Sequence, residues 1–172
     1  MEPNSEIRLR PLTPADESEA LAAHAELQAD DFGFLLDHAP AEPWPDYINK
    51  LAEQRRALNL FAGRVPATFL VATVGEHLVG RTSIRHELND YLFEVGGHIG
   101  YAVRPAFRRR GYATEILRQS LVIARSEGVD RVLVTCDDGN AGSAVVIERC
   151  GGRIEDVRLD PDGVRKRRYW ID

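Results

Sequence analysis

The chain has 172 residues, of which 44% are hydrophobic and 28% are charged, and its net charge at pH 7 is -5. This balance is typical of a soluble globular protein, and the length suits one domain over residues 1–172. The acidic balance argues against a general nucleic-acid-binding surface, which tends to be basic. Because no apolar leader and no apolar run of roughly 20 residues occurs, we expect a cytoplasmic protein without a membrane partner.

The first third of the chain alternates between extended and helical patterns. Residues 7–10 alternate apolar and polar side chains, which predicts a short strand. Thr13 is a predicted N-cap for a helix over 15–28. After an irregular stretch over 30–45, residues 46–58 return to a helical pattern.

The middle of the chain predicts three strands. Segments 68–74 and 78–84 are extended and apolar, and Gly75-Glu76 between them is a two-residue turn signal, so we expect a hairpin. Residues 94–103 form a third predicted β segment, which is rich in glycine. Glycines within a strand often mark a bulge or the close approach of another group.

The last third of the chain contains two helical patterns and three extended ones. The predicted helices cover 113–127 and 142–149, and the predicted strands cover 131–136, 153–159 and 165–171. Gly128 is the expected stop signal of the first helix. The basic run over 165–168 is expected on a solvated edge strand, where charge discourages edge pairing.

This order of elements predicts a mixed α/β (α+β) fold, because it lacks the regular alternation of a doubly wound sheet. We expect a mixed, mostly antiparallel central sheet with helices on both of its faces. The central strand–helix–strand unit should be a right-handed parallel crossover.

The segment from Val103 to Thr114 carries the strongest chemical signal. A strand ends at Val103, three arginines follow at 108–110, and a helix starts close to Gly111. Helix N-termini present free N–H groups and a partial positive charge, and they bind phosphates. A solvated basic loop would explain each feature alone, but their combination predicts an anion site. The P-loop and dinucleotide patterns do not fit this chain.

These residues resemble the acetyl-CoA motif of the GNAT superfamily of N-acetyltransferases. The motif, Gln/Arg-x-x-Gly-x-Gly/Ala, is matched by Arg108, Gly111 and Ala113. The resemblance covers nearly the whole chain, from the opening strand to the last helix. More narrowly, the stretch 86–101 resembles a group of bacterial predicted acetyltransferases whose acceptor is unassigned.

The resemblance implies an acyltransferase that moves an acetyl group from acetyl-CoA to a primary amine, by direct attack in a ternary complex. It places the cofactor in a slot between the motif strand and the next parallel strand, where the Val103 N–H would polarise the thioester carbonyl. The implied cofactor-binding residues are Tyr101, Val103, Arg108, Arg109, Arg110, Gly111, Tyr112, Ala113, Thr114 and Asn140. For Asn140, a helix N-cap is an equally good interpretation.

Acetyl transfer requires a neutral amine, a donor for the oxyanion and a proton for the thiolate. His98 is the predicted base, because imidazole titrates near neutral pH, and Glu94 is the second choice. The alternative for His98 is a strand histidine bonded to neighbouring backbone. Many family members carry a tyrosine acid where this chain has Ile147, so Ser143, one turn earlier, is the candidate substitute or else only a helix cap.

The acceptor site is the least defined part of the sequence. His86, Asn89 and Phe34 are predicted to line it. A polar loop position is the alternative for His86 and Asn89, and core packing is the alternative for Phe34. Cys136 and Cys150 lack metal-site spacing, so we expect no metal.

Two other classes of protein compete with the enzyme. A non-catalytic acyl-CoA-binding module is favoured by the absence of the tyrosine at position 147. A nucleic-acid binder that uses the two basic runs is disfavoured by the acidic net charge. The resemblance leaves room for a homodimer.

Overall fold

The computed structural model describes residues 6–172. Within them the predicted strands and helices occur in the predicted order. The strands are β1 (Arg8–Arg10), β2 (Ala67–Val74), β3 (His77–Arg85), β4 (Ile99–Val103), β5 (Val132–Asp137), β6 (Arg153–Leu159) and β7 (Arg165–Ile171); the helices are α1 (Glu17–Gln28), α2 (Trp44–Arg55), α3 (Tyr112–Ser126) and α4 (Ala141–Arg149). None of these helices combines the length and the apolar character needed to cross a membrane.

The strands form two antiparallel sheets, with the orders β1-β2-β3-β4 and β5-β7-β6. The β2–β3 hairpin is confirmed, with Val74 paired to His77 across the two-residue turn. β4 and β5 start side by side, where the His98 N–H donates to the Leu133 carbonyl at 2.7 Å. No other backbone hydrogen bond joins these two strands within residues 6–172. We call the opening beyond this bond the slot.

Helices cover both faces of the first sheet, as predicted. On one face α1 and α2 pack against Phe69 and Val71 of β2, and on the other α3 packs against Ala72. Neighbouring strand residues point to opposite faces, so one apolar strand serves both layers. A further core lies beneath α3 and α4 and includes Leu117 and Ile147.

The segment before β4 differs from the predicted strand over 94–103. Leu92–Gly96 forms a π-helical turn, and β4 begins only at Ile99. Gly97 has a φ of 70°, and a side chain there would come within 2.7 Å of the Leu133 carbonyl. Only glycine adopts this backbone conformation easily, so Gly97 turns the chain directly into β4.

The basic run over 165–168 was expected on an edge strand, and that prediction is wrong. β7 lies between β5 and β6, so it is the middle strand of its sheet. Arg168 is fully buried and donates to Glu155 at 2.6 Å and to Asp156 at 2.7 Å. Alternation within a strand predicts two faces, but it does not distinguish an edge strand from a central one whose charges are paired.

Asp16 joins the first strand to the first helix. Its carboxylate accepts from the Arg10 guanidinium at 2.7 and 2.9 Å and from the Thr13 N–H at 2.7 Å. Thr13 is the N-cap of the 3-10 turn Pro14–Asp16, which leads into α1. The hydrogen bonds from Arg10 lower the pKa of Asp16 to about 2, against the opposing effect of burial.

We expect Asp16→Asn to lower the free energy of unfolding by about 2 kcal/mol at pH 7. The folded pKa lies below the usual value of 3.8, so this stabilisation is complete well above pH 4 and is lost as the pH falls toward 2. Urea unfolding should therefore show a smaller difference between the two proteins at pH 3 than at pH 7.

Asp172→Asn is the control, because it removes an exposed partner of Arg131. It should change the free energy of unfolding by less than about 0.5 kcal/mol. An Asp16→Asn effect of the same size at pH 7 and pH 3 would contradict the assignment.

Candidate active site

The edge of β4 that faces the slot carries unused backbone groups. At the end of the pairing with β3, the Arg104 N–H donates to the Val79 carbonyl at 2.8 Å. In an antiparallel pair, every second residue bonds to the neighbouring strand, and the residues between direct their N–H groups to the other side. Arg104 bonds to β3, so Tyr101 and Val103, at odd spacing from it, direct their N–H groups into the slot. Neither N–H has a backbone acceptor in the part of the chain that the structure describes. An extended molecule with amide groups can therefore bond along this edge as a strand would.

The N-terminus of α3 continues this row of unused donors. In the described structure, the N–H groups of residues 109–114 donate to no protein acceptor. Gly111 has a φ of 81°, and a side chain there would meet only open space. Arg109 also has a positive φ, of 62°. Successive free N–H groups and the helix dipole make this turn suitable for a phosphate group.

The three arginines before α3 have different roles. Arg108 donates through Nε to the Val103 carbonyl at 3.0 Å and pairs with Asp30 at 2.9 Å. It therefore fastens the loop to the end of β4 and to the segment after α1. Arg109 and Arg110 are exposed and provide positive charge beside the free N–H groups.

A pair of hydroxyl groups connects β4 to α4. The Tyr101 Oη lies 2.8 Å from the Ser143 Oγ. The Ser143 N–H donates to the Asn140 Oδ1 at 3.0 Å, so Asn140 is the N-cap of α4 and the Ser143 hydroxyl is not the cap. Burial raises the pKa of the Tyr101 phenol to about 12, so this hydroxyl stays protonated at neutral pH.

Ile147 follows Asn140 on the same helix, where the family pattern often has a tyrosine. Its side chain is fully buried in the core beneath α3 and α4. That position therefore belongs to the packing of α4, and the nearest hydroxyl that α4 directs toward β4 is that of Ser143.

His98 lies at the closed end of the slot. Its Nδ1 accepts from the Leu133 N–H at 2.9 Å, so in the neutral ring the proton is on Nε2. Burial and, to a smaller extent, the Arg85 charge lower the pKa of His98 to about 4. The ring is therefore a neutral donor at physiological pH. This geometry fits the strand-histidine interpretation and does not suit the predicted role of general base.

Glu94 and His86 have partners elsewhere in the structure. Glu94 lies on the π-helical turn and pairs with Arg158 of β6 at 2.8 Å. The His86 Nε2 is 2.8 Å from the Thr68 Oγ1. The catalytic role of Glu94 and the acceptor-binding role of His86 stay predictions, and the contacts of the two side chains do not bring them together.

Asn89 and Phe34 have structural roles. The Asn89 side chain accepts from the Leu92 N–H at 2.9 Å and begins the π-helical turn. Phe34 is fully buried against α1 and α2. The loop interpretation of Asn89 and the core interpretation of Phe34 are thus the ones that match the structure.

Arg81 and Arg85 of β3 are absent from the sequence predictions. Arg81 is buried, and its guanidinium donates to the carbonyls of Phe34, Gly33 and Gly100 at 3.1, 2.7 and 3.0 Å. Burial lowers the pKa of Arg81 to about 9. Two arginines four positions apart in one strand share one face, and this spacing was the available signal.

Residues 6–153 match the family model of an acetyltransferase (GNAT) domain. No curated protein matches the sequence significantly. Many solved structures share the fold, and for the three described next the levels of identity are such that the likeness shows the fold alone. A probable acetyltransferase is 22% identical with a TM-score of 0.71 over 98% of this chain and 93% of its own. Mycobacterium smegmatis RimJ with CoA-disulfide is 19% identical, at 0.70 over 96% and 81%. Salmonella typhimurium YncA with acetyl-CoA is 15% identical, at 0.64 over 96% and 93%.

We expect the His98 ring to stay neutral on acidification until about pH 4, with the proton on Nε2. Nitrogen NMR of the imidazole ring measures both the tautomer and the midpoint, and His98→Gln assigns the signal. A midpoint near 6.5, or a neutral ring protonated on Nδ1, would show that the contact with Leu133 is not the one described.

Proposed function

Because this chain belongs to the GNAT acetyltransferase family, we propose that it transfers the acetyl group of acetyl-CoA to a primary amine in a ternary complex. The supporting observation is that the free edge of β4 leads directly to the free N–H groups at the start of α3. Acetyl-CoA has the complementary order of groups, with two amides in its pantetheine arm followed by a pyrophosphate. YncA, which shares the fold, binds acetyl-CoA.

The reaction needs the carbonyl carbon to be held and polarised. The neutral amine attacks this carbon, and the C–S bond of the tetrahedral intermediate then breaks to release the CoA thiolate and the amide. The Val103 N–H lies nearer α3 and pairs with the pantetheine arm, so the Tyr101 N–H, farther from the pyrophosphate turn, is the donor we assign to the developing oxyanion. The nitrogen of the acceptor loses one proton, which we assign to solvent because His98 uses its free lone pair on Leu133.

The thiolate receives its proton from the hydroxyl pair of Ser143 and Tyr101. The two oxygens are 2.8 Å apart, so the phenol can re-supply the serine when the serine donates. Ser143 lies in the first turn of α4, and its hydroxyl reaches β4 through Tyr101. In this scheme the pair performs the role that the family pattern often gives to a tyrosine at position 147.

Gly111→Glu should weaken acetyl-CoA binding by about 100-fold or more, because a carboxylate would occupy the space beside the free N–H groups and repel the pyrophosphate. Titration calorimetry measures the dissociation constant. Gly163→Glu is the matched control, since Gly163 has a φ of 80° and open space around it, but lies in the β6–β7 turn. Unchanged binding to Gly111→Glu would remove the pyrophosphate from this turn.

Ser143→Ala should lower kcat by roughly 100-fold at an unchanged dissociation constant for acetyl-CoA. Tyr101→Phe should have a similar effect, and the double variant should be no slower, because the two hydroxyls act as one unit. Release of free thiol from acetyl-CoA, with a panel of primary amines and mass detection of the product, measures kcat.

Ser126→Ala is the control for this series, because its hydroxyl bonds only within the end of α3. Additive effects of the two hydroxyl variants would contradict the relay. Tight binding of acetyl-CoA without turnover on any amine would favour the non-catalytic binding module over the enzyme.

A further inference from the structure

The guanidinium of Arg85 has no partner in the described structure. Arg85 ends β3 and is half-buried, and within residues 6–172 its guanidinium takes part in no hydrogen bond or ion pair. Its nitrogens are not fully buried, because no fully buried side-chain nitrogen in the described residues lacks a partner, so an anion from solvent can reach them. The other arginine of this strand, Arg81, is buried and donates to three carbonyls.

The guanidinium lies against the middle of β4. A side chain at Gly100 would come within 3.3 Å of the Arg85 Nη1 and 3.7 Å of its Nη2. Arg85 is therefore on the face of the sheet opposite Ile84, which packs with α3. Gly100 is the residue before Tyr101, so the charge lies beside the edge that borders the slot.

Among residues 6–172, no carboxylate compensates the charge of Arg85. The neighbouring Arg64 pairs with Asp37, and its charge together with burial lowers the pKa of Arg85. His98 is neutral, and Tyr91 is the acidic group that faces the guanidinium. A protein with a net charge of -5 thus keeps an uncompensated cation next to the strand that borders its slot.

We propose that the acceptor is a small amine that carries an anionic group, a carboxylate or a phosphate, which Arg85 binds with its two terminal nitrogens. This inference rests on the proposed acetyl transfer. A planar guanidinium matches both anions with two parallel hydrogen bonds.

The test compares matched pairs of acceptors. Aminocarboxylates from glycine to 6-aminohexanoate are assayed against their uncharged carboxamides, and phosphoethanolamine is assayed against ethanolamine. We expect kcat/KM to favour the anionic member of a pair by about 10- to 100-fold, and the kind of pair that shows this preference identifies the anion as a carboxylate or a phosphate. Arg85→Gln should abolish the preference mainly through KM, and Arg85→Lys should retain part of it. Arg64→Gln, which removes a neighbouring cation that is already paired, should keep it.

The failure of this inference differs from the failure of acetyl transfer. If the unaltered protein turns over charged and uncharged members with equal kcat/KM, the proposal of an anionic acceptor is wrong. The proposal of acetyl transfer is then still supported. If no amine turns over, calorimetry measures the dissociation constants of 6-acetamidohexanoate and of its carboxamide for the complex of the protein with CoA. Tighter binding of the carboxylate that is lost in Arg85→Gln supports the inference, and equal binding overturns it.

Discussion

The structure depends on the interruption of pairing between β4 and β5. Within the residues that the structure describes, one backbone hydrogen bond, from His98 to the Leu133 carbonyl, joins the two strands where they start. Continued pairing would satisfy the Tyr101 and Val103 N–H groups and would also close the slot. Among residues 6–172 these N–H groups have no protein acceptor, and they stay available to a ligand. The interruption of the sheet is thus the basis of the binding site that we propose.

The opening is held by contacts on each side of it. Gly97 turns the chain into β4 against Leu133, and the His98 ring fixes the closed end through the same residue. At the other end, Arg108 bonds to the last carbonyl of β4 and pairs with Asp30. β4 is therefore anchored at both ends, at its start through Leu133 of β5 and at its end through Arg108, which explains how the strand keeps its position while its middle has no second neighbour in the described part of the chain.

Local patterns predicted most of this fold, because helices, turns and hairpins are encoded over short stretches. The start of α3 at Gly111 is an example, since its signal lies within a few residues. The π-helical turn before β4 could not be predicted, because it depends on a contact between Gly97 and Leu133, far apart in sequence. The tautomer of His98 could not be predicted for the same reason, because it depends on the hydrogen bond from the Leu133 N–H. Arg85 is visible in the sequence as a charge in an apolar strand, but only the structure shows that no acceptor meets it.

The proposed site is distinguished from the rest of the chain by unsatisfied polar groups. No fully buried side-chain nitrogen or oxygen lacks a partner in the described residues, and even the buried Arg81 and Arg168 are bonded. Free donors collect instead along β4, at the start of α3 and at Arg85. Each set is suited to a different acceptor: amide carbonyls, a pyrophosphate and an anionic group. All three sets donate, so a ligand rich in acceptors satisfies them together, and acetyl-CoA with an anionic amine has that composition.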